Sequence, residues 1–276
     1  MSKESTKAAF QKAFSVVRPT VPTIPLLVHV PHSSKWIPEH VLPQYSLAPD
    51  AVNQELLAMT DAYTDEFCTS VPSIGGTLFI NCTSRLVVDP ERFESDDDEP
   101  MAATGMGAVY LQTSGGDPLR GPSFGASERE QMLSEFFRPY SQAIAQEVGG
   151  LLERFGRCLI VDVHSFPSTP LAYEGASLAR PDICFGYDPF HYPSILHARL
   201  SDLIDAAGMT SCNNQPFEGS YVPGPYFHRE RNVTSLMIEI KRSLYMDEAT
   251  GAKIENWNQT RETIDELLDI AGALTE

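Results

Sequence analysis

Residues 158–166 read CLIVDVHSF, a short apolar run that ends in a histidine. A run of this length and composition predicts a strand over 158–163 that is buried on both faces, as in a parallel or mixed sheet. Residues 26–34, LLVHVPHSS, repeat the arrangement: a second buried strand is expected over 26–30, and His32 follows it as His164 follows the first. In open α/β sheets ligands bind beyond the carboxyl ends of the strands, where both histidines are expected. Two imidazoles with a carboxylate nearby suit a catalytic zinc ion, which takes three protein ligands and keeps one position for water.

Working outward, further strands are expected over 77–81, 85–89, 183–186 and 235–240, and helices over 50–70, 127–155, 194–207 and 254–271. Pro139 falls inside the second helix and predicts a kink or break there. Strands alternating with long helices imply one α/β domain over 1–276, a mixed central sheet flanked by helices. Residues 1–22 read as an N-terminal extension with a polar, helix-like start. Residues 93–126, rich in Gly, Pro, Ser and Thr, read as an irregular loop, and so long a loop within a domain is usually functional or mobile.

The 276 residues carry a formal net charge of −17, which argues against nucleic acid or an anionic membrane as partner. Part of that charge is concentrated at 94–99, ESDDDE, which lacks calcium-loop spacing and reads as a solvated loop. No stretch approaches the roughly 20 apolar residues of a membrane span, and the N-terminus lacks the apolar core of a signal peptide. The 5 cysteines are scattered, with no C-x-x-C pair, and read as reduced thiols of a cytoplasmic protein. The partner these features leave is a small-molecule substrate; oligomeric state stays open.

Candidate site residues follow from their settings. In the helix expected over 50–70, Asp61 and Asp65 stand four apart on one face, beside a core stripe of Val52, Leu56, Met59, Tyr63 and Phe67. Like charges so placed repel unless a cation lies beside them, so either aspartate is a candidate metal ligand or a partner for arginine or histidine. Asp162 precedes His164 by two positions on a strand, points to the same face, and could orient an imidazole or a bound water. His29 is expected to pack in the core, and His40, His191 and His197 to be structural or exposed. Glu239, in the apolar strand SLMIEIK, either faces solvent, pairs with Arg242, or serves as a general base beside the metal. Arg85 and Arg92, in RLVVDPER, could hold a substrate carboxylate bidentately, and Arg85 an oxyanion; Arg229 and Arg231, in HRER, form a second such pair. Ser33 and Ser165 follow histidines, but no G-x-S-x-G elbow surrounds either.

Taken in order, VHVPHSSKWIP, TDAYTDEF, RLVVDPER, VDVHSF, FEGSY and SLMIEIKRSLYM resemble the N-formylglutamate amidohydrolase family over about residues 26–247. The resemblance implies a zinc-dependent-exopeptidase-like α/β fold. It also implies hydrolysis of the formamide of N-formyl-L-glutamate to formate and glutamate, in histidine breakdown. Carried over position by position, it implies metal ligation by His32, His164 and a carboxylate from the pair Asp65 and Asp61. Glu239 matches the catalytic glutamate, and Arg85 and Arg92 match arginines that bind substrate carboxylate. Where the family commonly has asparagine before the second arginine, this chain has Glu91, a carboxylate beside the expected anion site. The expected function is therefore zinc-dependent hydrolysis of an N-acyl amino acid. A zinc carboxypeptidase or peptidoglycan-type amidase on the same scaffold, or a binding protein without catalysis, are the rival readings.

Overall fold

The computed structural model describes residues 13–174 and 180–274. Its framework is a seven-stranded mixed sheet: β1 Phe14–Val17, β2 Leu26–Val30, β3 Thr77–Asn81, β4 Cys158–Phe166, β5 Ile183–Gly186, β6 Ser211–Asn213 and β7 Val233–Lys241. The order across the sheet is β1-β3-β2-β4-β7-β5-β6. The central strands β3, β2, β4 and β7 run parallel, β1 pairs antiparallel with β3 and β5 antiparallel with β7, and β6 lies parallel to β5 at the other edge. The chain goes from β2 to β3 on one side and then returns to β4 on the other. The carboxyl ends of β2 and β4 thus flank a reversal of strand order, where such sheets open a crevice for ligands.

Alternation along β4 divides the core. Leu159, Val161 and Val163 pack with Leu200 and Ile204 of α5 (Ser194–Ala206) and with Ile264, Leu267 and Leu268 of α6 (Trp257–Ala273). Cys158 and Ile160 face the opposite side, against Ile144, Val148 and Leu151 of α4 (Arg138–Phe155). Asp162 and His164 continue that second face, so its apolar stripe becomes polar at the carboxyl end of the strand.

Several elements differ from the sequence expectations. β4 runs three residues further, so His164 sits within the strand and not beyond it. Its polar tail is satisfied because β7 pairs with it through Phe166 and Lys241. The expected strand at 85–89 is a turn: the Val87 amide donates to the Ser84 carbonyl at 2.9 Å, and Arg85 bonds Asp89 at 2.7 Å. Its apolar residues Leu86, Val87 and Val88 are buried by side chains of the 93–126 region and by Met132, Leu133, Phe136 and Phe137, not by a ladder. That region is irregular apart from a 3₁₀ turn at Pro100–Thr104. The buried Arg120 organises it by donating to the carbonyls of Leu86, Val87 and Tyr110.

The helix expected over 50–70 is two helices, α1 Pro49–Met59 and α2 Thr64–Phe67. Between them Tyr63 takes a left-handed φ of 72°. The Asp61 amide leaves the helical ladder to bond the His32 carbonyl at 3.0 Å. Asp61 and Asp65 therefore do not share a helix face. The break expected at Pro139 takes the form of a π-helical turn, Leu133–Phe137, between α3 (Ala126–Met132) and α4. A wider turn accommodates a proline that would otherwise crowd the carbonyl four residues before it. Residues 1–12 of the expected N-terminal extension lie outside the described residues, and Phe14–Val17 of that extension form an edge strand of the sheet.

Candidate active site

Register assembles the site. His29 of β2 stands opposite Asp162 of β4, and His164 of β4 stands opposite Glu239 of β7. The tie between the Asp61 amide and the His32 carbonyl brings Asp61 over the same strand ends. The Nδ1 atoms of His32 and His164 lie 3.3 Å apart. Asp61 Oδ2 is 3.1 Å from His164 Nδ1 and 3.6 Å from His32 Nδ1. Three donor atoms from three segments thus converge on one point. Ligands bound about 2.0–2.1 Å from a tetrahedral zinc are separated by about 3.3 Å, so the donor set and its spacing fit such an ion.

The surroundings prepare this point. His32 Nε2 is 2.9 Å from Asp89 Oδ1, an atom that only accepts, so the ring's proton belongs on Nε2 and the lone pair on Nδ1. His164 Nδ1 bonds Asp61 Oδ2, while its Nε2 lies 3.1 Å from Asp162 Oδ1 and 3.3 Å from Glu91 Oε2 without a hydrogen bond. Burial opposes the charged ring, but Glu91, Asp162 and Asp61 outweigh it and hold the His164 pKa well above its ordinary value. Burial alone would raise the Asp89 pKa, but Arg85, His32 and Arg92 outweigh it and hold this carboxyl well below its usual range. Tyr110 also donates to Asp89, at 2.6 Å. Burial likewise opposes ionisation of Asp61, and the bonds with His164 and His32 and the charge of Arg242 overcome it. Arg242 donates to Asp61 Oδ1 at 2.9 Å and also to Ala58 O and Ser165 Oγ, fixing the carboxylate's orientation.

Glu239 is only 7% exposed, and its Oε2 has no hydrogen-bond partner among the described residues. Burial, aided by the nearby Asp61 charge, pushes its pKa up to about 8 despite His164, Arg242 and Arg85. It is not paired with Arg242, which is committed to Asp61. A carboxyl so placed is equipped to take and return a proton near neutral pH.

Asp65 is set apart from this constellation. It lies on α2, where burial and the neighbouring Glu66 raise its pKa despite Lys253, and it makes no contact with His32 or His164. The carboxylate at the histidines is Asp61. Arg85 is committed to Asp89 and Tyr110. Arg92 is freer: its nearest carboxylate contact is Asp89 at 3.7 Å, its Nε is unpartnered, and its side chain is about a quarter exposed (23%). His29 is buried as expected, between Asp162 and the Tyr140 hydroxyl. His191 and His197 are buried in hydrogen-bonded settings, and His40 pairs with Glu135 near the surface. Arg231 stacks on Phe190, away from the histidine pair.

Three supporting residues were not singled out by sequence reasoning. Asp89 stood between the two arginines of RLVVDPER, where its i+4 spacing from Arg85 was the available signal. Tyr110, in the irregular region, carried none. Tyr221, in the FEGSY segment, donates its amide to Asp162 Oδ2 at 3.2 Å and places its ring 4.6 Å from that of His29.

Comparison with known proteins adds a lineage to this geometry. The model of the N-formylglutamate amidohydrolase family matches residues 24–246. An N-formylglutamate deformylase of Pseudomonas putida is 27% identical over 233 residues, which cover 82% of this chain and 83% of that protein. The solved structure of N-formylglutamate amidohydrolase from Ralstonia eutropha JMP134 matches with a TM-score of 0.83 at 23% identity, covering 96% of this chain and 98% of the other. A gene product of Agrobacterium tumefaciens matches with a TM-score of 0.71 at 18% identity over 98% of both chains. The family match takes in every residue of the constellation around His32 and His164, and the chain belongs to the N-formylglutamate amidohydrolase family of enzymes.

Proposed function

We propose that this enzyme hydrolyses N-formyl-L-glutamate to formate and L-glutamate with one zinc ion held by His32, Asp61 and His164. The observation that carries the reading is the convergence of Asp61 Oδ2 with two imidazole Nδ1 atoms, 3.1 to 3.6 Å apart, beside the unpartnered carboxyl of Glu239. When bound, the ion would lower the pKa of a water to about 7 and polarise the formyl carbonyl. Glu239 takes the proton as the water oxygen adds to the formyl carbon. It then returns that proton to the nitrogen as the carbon–nitrogen bond breaks. Asp89 keeps the His32 lone pair aimed inward, and Arg242 keeps Asp61 from turning away.

Arg92 is the group best able to receive a substrate carboxylate, since Asp89 leaves its fork largely free. Arg85 is held by Asp89 and acts chiefly through its charge. The family's link to histidine breakdown and a cytoplasmic setting belong to this same reading. The test is metal analysis of the purified enzyme combined with formate release from N-formylglutamate and from neutral N-formyl amino acids. About one zinc per chain and preference for the acidic substrate are expected. Activity undiminished in fully metal-free protein would overturn the reading.

A further inference from the structure

We propose that Arg180 receives the α-carboxylate of the substrate, the group that every N-formyl amino acid carries. This rests on the function proposed above and adds a residue to it. N-formylglutamate has two carboxylates, and Arg92 can serve only one of them. The Arg180 side chain is only 11% exposed, and its Nη2 pairs with Glu174. Its Nε and Nη1 are buried with no hydrogen-bond partner among the described residues. Buried donors left bare in this way are costly until a ligand satisfies them.

Register brings this guanidinium to the catalytic end of the sheet. β5 runs antiparallel to β7, so it begins where β7 ends, with Ile183 opposite Ile240. Arg180 precedes that start by three residues. Its Cζ lies 5.4 Å from the ring centre of Phe166 and 5.8 Å from that of Phe217. Phe166 follows His164 by two positions on the same face of β4. The Phe217 carbonyl accepts from Cys184 Sγ at 3.4 Å, and Cys184 stands opposite Glu239. The two rings thus straddle β7, and the guanidinium over them lies on the Glu239 side of the histidine pair. Arg92, beside Asp89 and His32, lies on the other. Glu239 must deliver its proton to the leaving nitrogen, and the carbon next to that nitrogen bears the α-carboxylate. The rings hold the cation without using its N–H groups, which stay available to an anion. Tyr173 is near both arginines: burial raises its hydroxyl pKa, and Arg85, Glu174, Arg92 and Glu239 are the charges that act on it.

The test is steady-state kinetics of zinc-loaded wild type and Arg180→Met on N-formylglutamate, N-formylglutamine and the α-amide of N-formylglutamate. Loss of a charge-assisted contact should raise KM about ten- to hundredfold for the first two, with kcat little changed. KM for the α-amide should stay where it is. A merely structural Arg180 would disturb all three substrates alike, and that result would overturn the proposal. So would an effect confined to N-formylglutamate, which would make Arg180 a reader of the side chain. Should Arg180→Met fold poorly because Glu174 is left unpaired, Arg180→Met combined with Glu174→Gln removes the stranded charge, and the same pattern across substrates is expected. A wild type that releases formate from none of the three would sink the function proposed above. Calorimetry with L-glutamate then decides this proposal by itself. Binding by the wild type that Arg180→Met loses would support it, and equal binding, or none by either protein, would overturn it.

Discussion

Replacing Glu239 with Gln should lower activity and raise stability together, for one physical reason. The side chain is buried opposite His164 with one oxygen unpartnered, and burial lifts its pKa from the ordinary 4.5 to about 8. In metal-free protein the folded chain then holds a proton that the unfolded chain has released, throughout the window between those values. The sign follows from linkage: stability of the parent falls as pH rises through that window and levels off above about 8. Glutamine has the same shape and no charge to desolvate, so the variant escapes that fall. Each pKa unit corresponds to about 1.36 kcal/mol, which sets an upper bound of roughly 5 kcal/mol at pH 9. For a chain of this length, with an unfolding entropy of about 2 cal/mol/K per residue, that is at most about 8 °C in Tm.

The assay is thermal unfolding of metal-free parent and variant from pH 5 to 9, with turnover of the zinc-loaded forms measured alongside. Melting curves should nearly coincide at pH 5 and separate by several degrees at pH 9, the variant being higher. Turnover should fall by about 10² to 10⁴, the usual contribution of a positioned acid–base group. A variant less stable than the parent at every pH would show that the carboxylate is a satisfied structural group. Turnover within tenfold of the parent would remove Glu239 from proton transfer.

Other outcomes follow from the same geometry. His32→Ala and His164→Ala should each lose stoichiometric zinc while keeping a native circular dichroism spectrum; full occupancy in either would break the ligand assignment. Arg92→Met should raise KM for acidic substrates by about ten- to hundredfold with little change for neutral ones, the worth of a charge-assisted contact. The same effect from Arg85→Met alone would shift the anion site to Arg85. Arg242→Met strips Asp61 of its guanidinium and should cost about 3–5 kcal/mol, or about 5–9 °C in Tm, in metal-free protein. Zinc should recover part of that loss, and equal Tm deficits with and without zinc would contradict a shared role for Arg242 and the ion at Asp61.

The two apolar runs were legible because burial on both faces leaves a pattern in the sequence itself. They located β2 and β4, and with them His32 and His164. Glu239 was legible for a related reason, as a charge inside a strand with no room for one. What could not be read was set by contacts between distant segments. The Asp61 amide bonds the His32 carbonyl, which ends α1 and separates Asp61 from Asp65, yet their helical spacing looked uninterrupted. The run RLVVDPER has strand composition, but the Arg85–Asp89 ion pair and side chains from the loop region bury it as a turn. No local pattern distinguishes those two ways of hiding Leu86, Val87 and Val88. Glu91 was visible as a departure from the family, and its approach to both imidazoles was not, because that depends on how this turn lies across the strand ends.

Formal charge ties these pieces together. Asp61, Asp89, Glu91, Asp162 and Glu239 are buried or nearly so around the two imidazoles, and Arg85, Arg92 and Arg242 are the guanidiniums among them. Five carboxylates against three guanidiniums leave two negative charges if the histidines are neutral. Uncompensated charge in a low-dielectric site is costly, so the metal-free molecule must protonate some of these groups. His32 and His164, whose carboxylate neighbours raise their pKa against burial, and Glu239, whose pKa burial raises, are the places where protons are taken up. A divalent ion would bring the sum to zero with every imidazole neutral and every carboxylate ionised, the protonation state in which Glu239 can accept a proton. On this accounting, binding the ion and readying the base are one event, and proton release on zinc binding is the quantity that joins them.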